Sequence, residues 1–224
     1  MRFITFEGMD GAGKTTTSAS VARLVARDGN EVLYVDKKKI ALDHPYLAQH
    51  AETLRNLIWS YPPTAPIQGL GDPHWLHLMA SWFYLLDETV IRPALAAGGI
   101  VIVDSWIGKF LARFALKDGL RGEQAKRAFA DLSQPDFTLF LDVDPTVAAG
   151  RKREFTIAEC GNLDGYVGTS AENFVNYQTC IRRALLDLAA AQGWHAINTT
   201  EQSEAEVVIA AARAIAVHLG AAAR

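Results

Sequence analysis

Cysteine is scarce in this chain, with only Cys160 and Cys180 among 224 residues. Two thiols exclude a disulfide-stapled miniprotein. Their spacing fits no zinc pattern, so both read as reduced thiols in a reducing compartment. A basic excess is missing too: 22 Lys and Arg stand against 25 Asp and Glu, a net charge of −3. Nothing is left over to neutralise a nucleic-acid backbone, which excludes nucleic-acid binding as the main business. Long apolar runs are also lacking. Gly99–Val103 and the alanine-rich tail are short or broken by charge, and neither reaches the length of a membrane span. A strand-like pattern starts at Arg2 with no leader pattern before it, so the expected address is the cytoplasm, with no membrane partner. His74 and His77 stand one turn apart without a carboxylate or cysteine at ligand spacing, which argues against a metal there.

What remains is the composition of an ordinary globular protein, 50% hydrophobic and 21% charged. A chain this long buries roughly 70% of the surface it would expose unfolded, enough for one domain over residues 1–224 without staples. Short β-branched or aromatic runs at Arg2–Phe6, Glu31–Val35, Ile100–Val103, Thr138–Leu141 and His195–Ile197 predict strands. Helical patterns lie between them, near Thr15–Asp28, Leu47–Trp59, Pro73–Ala97, Gln124–Leu132, Pro145–Lys152, Ala171–Gln192 and Glu204–His218. Ile100–Val103 and Thr138–Leu141 are nearly all apolar, as strands covered on both faces must be. The alternation predicts a three-layer α/β fold with a five-stranded parallel sheet and right-handed crossovers. Tyr61–Pro66 reads as a surface loop, and the glycine-rich stretch Arg153–Gly168 lacks periodicity, so a lid is expected over about residues 151–168.

Gly8-Met9-Asp10-Gly11-Ala12-Gly13-Lys14-Thr15 satisfies G-x-x-x-x-G-K-[ST] at every fixed position, between an apolar strand and a helix. Its glycines allow a nest of inward N–H groups for phosphate oxygens. Lys14 brings a compact cation to the β- and γ-phosphates, the Thr15 hydroxyl suits Mg²⁺, and the helix dipole points at the same anion. Residues 8, 10–13, 14, 15 and Thr16 are therefore the expected donor-nucleotide site. The guanine-reading N-K-x-D pattern is absent, so ATP with Mg²⁺ is the expected pair. Asp104, at the end of the Ile100–Val103 strand, is placed to hold Mg²⁺ or orient an acceptor hydroxyl.

The run Phe3–Thr16 resembles the opening of bacterial thymidylate kinases. Val90–Leu95 followed by Ile100–Asp104, Gln134–Pro145 and the Ala171–Ala189 helix extend the resemblance over nearly the whole chain. It implies a nucleoside-monophosphate-kinase fold with a lid, a homodimer, and a small-molecule phosphoryl acceptor. Ala12 stands where some members carry a loop arginine. Members without that arginine take cations from the lid, which implies catalytic roles for Arg151 and Arg153, with Lys152 between them. On the acceptor side the chain departs from the family pattern. Asp104-Ser105-Trp106 replaces Asp-Arg-Tyr, and Phe83 and Leu85 fall at the positions of an arginine and a base-reading amide. Asp36-Lys37-Lys38-Lys39-Ile40 stands for Arg-Glu-Pro-Gly-Gly. Phenylalanine does not reproduce a bidentate arginine fork, so an acceptor other than thymidine monophosphate is expected.

The expected acceptor residues are Asp10, Asp36, Phe83, Asp104, Trp106 and Arg113. Lys109 lies one turn before Arg113, Lys37–Lys39 offer a replacement phosphate clamp, and Trp75, Trp82, Phe83, Tyr84 and Trp106 offer stacking faces. Either Asp36 or Asp104 is placed to act as a base. Four readings stay open: a kinase of thymidine monophosphate itself, a nucleotide kinase with a rebuilt acceptor site, a kinase of nucleoside or secondary-metabolite hydroxyls, and a non-catalytic nucleotide-binding regulator.

Overall fold

The computed structural model describes residues 2–27, 29–62, 64–117 and 122–222; Asp28, at the end of the first expected helix, and Pro63, in the expected Tyr61–Pro66 loop, lie outside these. The strands are β1 (Phe3–Glu7), β2 (Val32–Val35), β3 (Ile100–Val103), β4 (Phe137–Asp142) and β5 (His195–Asn198). They form one sheet in the order β2-β3-β1-β4-β5, with every pair parallel. The helices are α1 (Lys14–Arg27), α2 (Pro45–Trp59), α3 (Asp72–Leu86), α4 (Arg92–Ala96), α5 (Gly108–Ala115), α6 (Gly122–Ala128), α7 (Pro145–Gly150), α8 (Ala171–Gln192) and α9 (Glu204–Ala222).

Alternation along the strands divides the core between the two faces of the sheet. Ile4 and Phe6 of β1 and Ile102 of β3 pack with Val21, Ile181 and Ile215 of α1, α8 and α9. Phe3, Val101 and Val103 meet Leu54, Trp82, Phe83 and Phe110 of α2, α3 and α5. All five residues of β1 and all four of β3 are buried, which explains the unbroken apolar pattern of β3; in β1, Thr5 and Glu7 are buried with polar partners.

The expected helix Pro73–Ala97 is continuous but not uniform: α3 passes through a π-helical turn, Asp87–Ile91, into α4. Pro93 has no N–H to donate, and its ring crowds the preceding turn, so the helix widens just before it. The N–H of Arg92 reaches back to the Asp87 carbonyl, five residues away. Residues 151–170 carry short turns and one brief 3₁₀ segment, Asn162–Asp164. They fold over the carboxyl ends of the strands, tied to α8 and α5 by contacts described below.

β1 lies between β3 and β4, and the register sets Thr5 opposite Val103 and Glu7 opposite Phe140. The loop leaving β1 therefore stands beside Asp104, at the edge where open α/β sheets bind ligands.

Candidate active site

The loop between Glu7 and Lys14 is shaped by its glycines. A Cβ on Gly8 would lie 2.7 Å from the Leu141 carbonyl oxygen, so no other residue fits the close approach to the end of β4. Gly13 adopts φ +85°, the left-handed region that other side chains resist. Lys14 is buried, and its Nζ donates to the carbonyls of Gly8 at 2.8 Å and Met9 at 2.7 Å. Burial, then the charge of Lys109, lower its pKa to about 8, against the opposing pull of Asp10, Glu7 and Asp104. Gly13, Thr15 and Thr16 are exposed at the mouth. The Thr15 hydroxyl donates to Asp104 Oδ2 at 2.9 Å.

Next to the loop runs a groove of about 420 Å³ bordered by Gly11–Gly13, Thr16, Arg151, Lys152, Thr199 and Gln202. Arg151 reaches across it, its guanidinium donating to the carbonyls of Thr199 at 2.6 Å and Thr200 at 3.3 Å. Lys152 pairs with Glu159 at 2.9 Å. Arg153 is exposed and lines no part of this groove. The fold thus brings Arg151 and Lys152, but not Arg153, against the loop.

On the opposite side, Asp10 is the centre of a polar cluster. Lys109 Nζ meets its Oδ1 at 2.7 Å, and the Arg113 guanidinium meets its Oδ2 at 2.9 Å. Lys109 and Arg113 stand one turn apart on α5, so both project from the same face. Arg113 also donates to the Ala158 carbonyl at 3.2 Å and lies 5.9 Å from the Tyr177 ring centre. Burial pushes the Asp10 carboxyl up, but Lys109, Arg113 and Lys14 together outweigh it and hold the group well below the usual range. A depressed native value gives stability that is fully present above the unfolded value of 3.8 and is lost as pH falls through the folded one. Asp10→Asn is therefore expected to be less stable than the wild type at neutral pH. Urea midpoints should show the gap closing below about pH 4.

Lys37 is buried, 3.8 Å from Asp104 Oδ1. Burial first, and then Lys109, bring its pKa to about 7 against the opposing charge of Asp104. Of its neighbours, Lys38 lies over the Trp59 ring at 5.6 Å, and Lys39 is exposed and pairs with Asp36. Asp36 closes its own turn by accepting from the Lys38 N–H at 3.0 Å. Its carboxylate is spent locally and is not brought to the phosphate loop. Phe83 and Trp106 are not brought there either. Phe83 is fully buried among Trp106, Phe110 and Phe129. The Trp106 indole N–H donates inward to the Ser133 carbonyl. Both rings serve packing: Phe83 lies on the buried face of α3, and Trp106, in the loop before α5, is held inward against Phe3 and Phe83.

Three contributors were not expected from the sequence. Glu7 is buried, and its carboxylate accepts from the N–H groups of Trp106 at 3.0 Å, Gly108 at 2.9 Å and Lys109 at 3.2 Å. It caps the start of α5 and so aims Lys109 and Arg113. Burial raises its pKa despite the nearby Lys37 charge. Gln178 of α8 joins Asp10 to Glu159. Lys117, just past α5, pairs with Asp164 at 2.8 Å and Asp72 at 3.1 Å. A cavity of about 50 Å³ remains between Trp75, Met79, Phe110, Arg113, Asp164 and Tyr177.

A hydroxyl and a carboxylate 2.9 Å apart at the loop mouth, with Asp104 Oδ1 buried and without a hydrogen bond, suit a hard divalent cation. No cluster of three or more His, Cys, Asp or Glu suited to a metal occurs among the described residues. The parallel sheet, the glycine loop on its central strand, and Lys14 and Thr15 beside Asp104 define a P-loop kinase.

No protein-family model matches the chain. It is 35% identical over 158 residues to thymidylate kinases of Burkholderia mallei (strain NCTC 10229) and Burkholderia pseudomallei (strain 668), covering 67% of this chain and 70% of each relative. It is 32% identical over 197 residues to the thymidylate kinase of Chlorobium luteolum, covering 84% of both chains. The chain belongs to the thymidylate kinase family and is a phosphotransferase of the nucleotide-kinase kind. No helix among the described residues is long and apolar enough to cross a membrane.

Proposed function

We propose that this protein transfers the terminal phosphoryl group of ATP to a nucleotide-like acceptor that itself carries a phosphate, and that the acceptor site has diverged from thymidine monophosphate. The observation that carries this reading is the group of cations opposite the loop. Lys37, Lys109 and Arg113 face the reaction centre together with Lys14. Three carboxylates, Glu7, Asp10 and Asp104, lie among these four cations, so one positive charge is left over, which an acceptor phosphate would meet.

In this reading the loop N–H groups and Lys14 hold the donor phosphates, and the groove beside Arg151 takes the nucleoside end. Thr15 and Asp104 would hold Mg²⁺, which neutralises charge on the donor phosphates when bound. Asp10 keeps Lys109 and Arg113 aimed at the acceptor. An acceptor phosphate oxygen attacks the γ-phosphorus, the bond to the β-phosphate oxygen breaks, and the products are ADP and the acceptor diphosphate. The protein's share is positioning and electrostatics. Residues 151–168 act as the lid that excludes water, with Arg151 and Arg153 carried on it. The family resemblance also supports a homodimer, a cytoplasmic address and one folding unit over residues 1–224; light scattering of the purified chain tests the first.

A hydroxyl acceptor is the second reading, favoured by Asp104 Oδ1, a buried acceptor atom without a hydrogen bond. The deciding experiment is ADP release with Mg-ATP and a panel of nucleoside monophosphates, the matching nucleosides and amino sugars. Turnover that needs a monophosphate other than thymidine monophosphate supports the first reading. Turnover with nucleosides alone selects the second, and ATP binding without any acceptor-dependent turnover selects a regulator. Arg113→Ala is expected to raise KM for the monophosphate about tenfold or more while changing kcat less. An unchanged KM removes Arg113 from acceptor binding.

A further inference from the structure

Gln178 lies on α8, 168 residues from the loop it touches, and is fully buried. Its Oε1 accepts from the Asp10 backbone N–H at 3.0 Å. Its Nε2 donates to the Glu159 carbonyl at 2.7 Å and lies 3.4 Å from Asp10 Oδ2. One side-chain amide therefore serves both the backbone and the carboxylate of a phosphate-loop residue, and a main-chain carbonyl of the 151–168 segment. Arg113 makes a parallel crossing one residue earlier, from Asp10 Oδ2 to the Ala158 carbonyl.

We propose that Gln178 is a positioning residue that ties the 151–168 segment to the phosphate loop through Asp10. The chemistry of the amide fits the task. It offers one acceptor for the lone N–H and two donors for the two oxygens, and no other side chain of this length does both. Glutamate would set a carboxylate against the Glu159 carbonyl and the Asp10 carboxylate. Methionine would take this partner from the half-buried Asp10 N–H and Glu159 carbonyl. Because Asp10 and Glu159 share one partner, the segment cannot lift away without breaking a bond of the amide that also holds Asp10, the partner of Lys109 and Arg113. Loop and segment therefore form one mechanical unit. Only the effect on rate rests on reading 151–168 as a lid; the tie itself does not.

The test is hydrogen exchange on the full chain, with and without Mg-ATP, comparing the wild type with Gln178→Met. Amides of residues 155–165 should exchange about tenfold faster or more, with those of β1, β3 and β4 changed less than about twofold. With the best monophosphate of the panel, kcat should fall about tenfold at a nearly unchanged Kd for Mg-ATP. If the methionine variant does not fold, Gln178→Asn carries the same test, since it keeps the amide but falls short of Glu159. Unchanged exchange in 155–165, or a rise shared evenly with the sheet, overturns the proposal. Selective loosening with kcat and KM intact keeps the tie and sinks the lid reading instead.

Discussion

Lys14→Ala is expected to lower kcat by about 10³, roughly 4 kcal/mol of transition-state stabilisation, and to leave the fold intact. The side chain is buried, and among the described residues its ammonium has only main-chain carbonyls as hydrogen-bond partners, those of Gly8 and Met9. Such a group is held ready for an anion: its bonds to the loop are exchangeable for stronger ones to phosphate. Its pKa is lowered to about 8, and negative charge brought to the loop would raise it again and favour the ammonium further. Lys14→Arg should not rescue, because a planar fork does not fit a site built around a point charge. Stopped assays of ADP release, with circular dichroism as the control for folding, give the answer. A rate within about tenfold of wild type would remove the loop from the chemistry.

The second large effect is expected at Glu7, and it is one of stability. Glu7→Ala would leave the N–H groups of Trp106, Gly108 and Lys109 without their acceptor in a buried place. Each orphaned donor costs roughly 1–3 kcal/mol, so a total of about 3–5 kcal/mol is expected after relaxation. At roughly 2–4 °C per kcal/mol for a chain of this size, Tm should fall by about 10 °C or more. Glu7→Gln keeps one acceptor oxygen and should cost about half as much. Calorimetry on the three proteins measures both numbers. Glu7→Ala should also raise KM for the acceptor, since α5 loses the cap that aims Lys109 and Arg113. A Tm within about 2 °C of wild type would show that the cap carries no weight.

How far the sequence could be read differs from element to element. All five strands stand within a residue of where the β-branched runs place them, and Ala171–Gln192 is a helix over the expected range. These are local signals: periodicity, a glycine nest, and a Ser170 side chain that caps α8 by accepting from the Asn173 N–H. For α5 the sequence offers only the turn that joins Lys109 to Arg113, with no bounds. The helix starts at a glycine, Ile107 before it offers no side-chain cap, and its true cap comes from Glu7, about 100 residues earlier. No window of sequence contains that pairing. The same holds for Gln178, whose partners Asp10 and Glu159 are brought together only when α8 packs beside the loop. Phe83 and Trp106 illustrate the opposite difficulty. Aromatic residues near a cleft read as stacking platforms, yet whether a ring faces cleft or core depends on how its helix or loop is set, which packing against Phe3, Phe110 and Phe129 decides.

By itself, then, the order of residues determined the α/β class, the parallel sheet and the donor loop with Lys14 and Thr15, because each depends on neighbours within a few positions. Only the tertiary structure decided which groups meet beside the loop. It gathered Lys37 to Asp104 and Lys109 and Arg113 to Asp10, returned Asp36 to its own turn, and drew in Glu7 and Gln178 as partners of these groups. Charges act through space rather than along the chain, and burial strengthens them; which of them meet is settled only when distant segments come within a few ångströms.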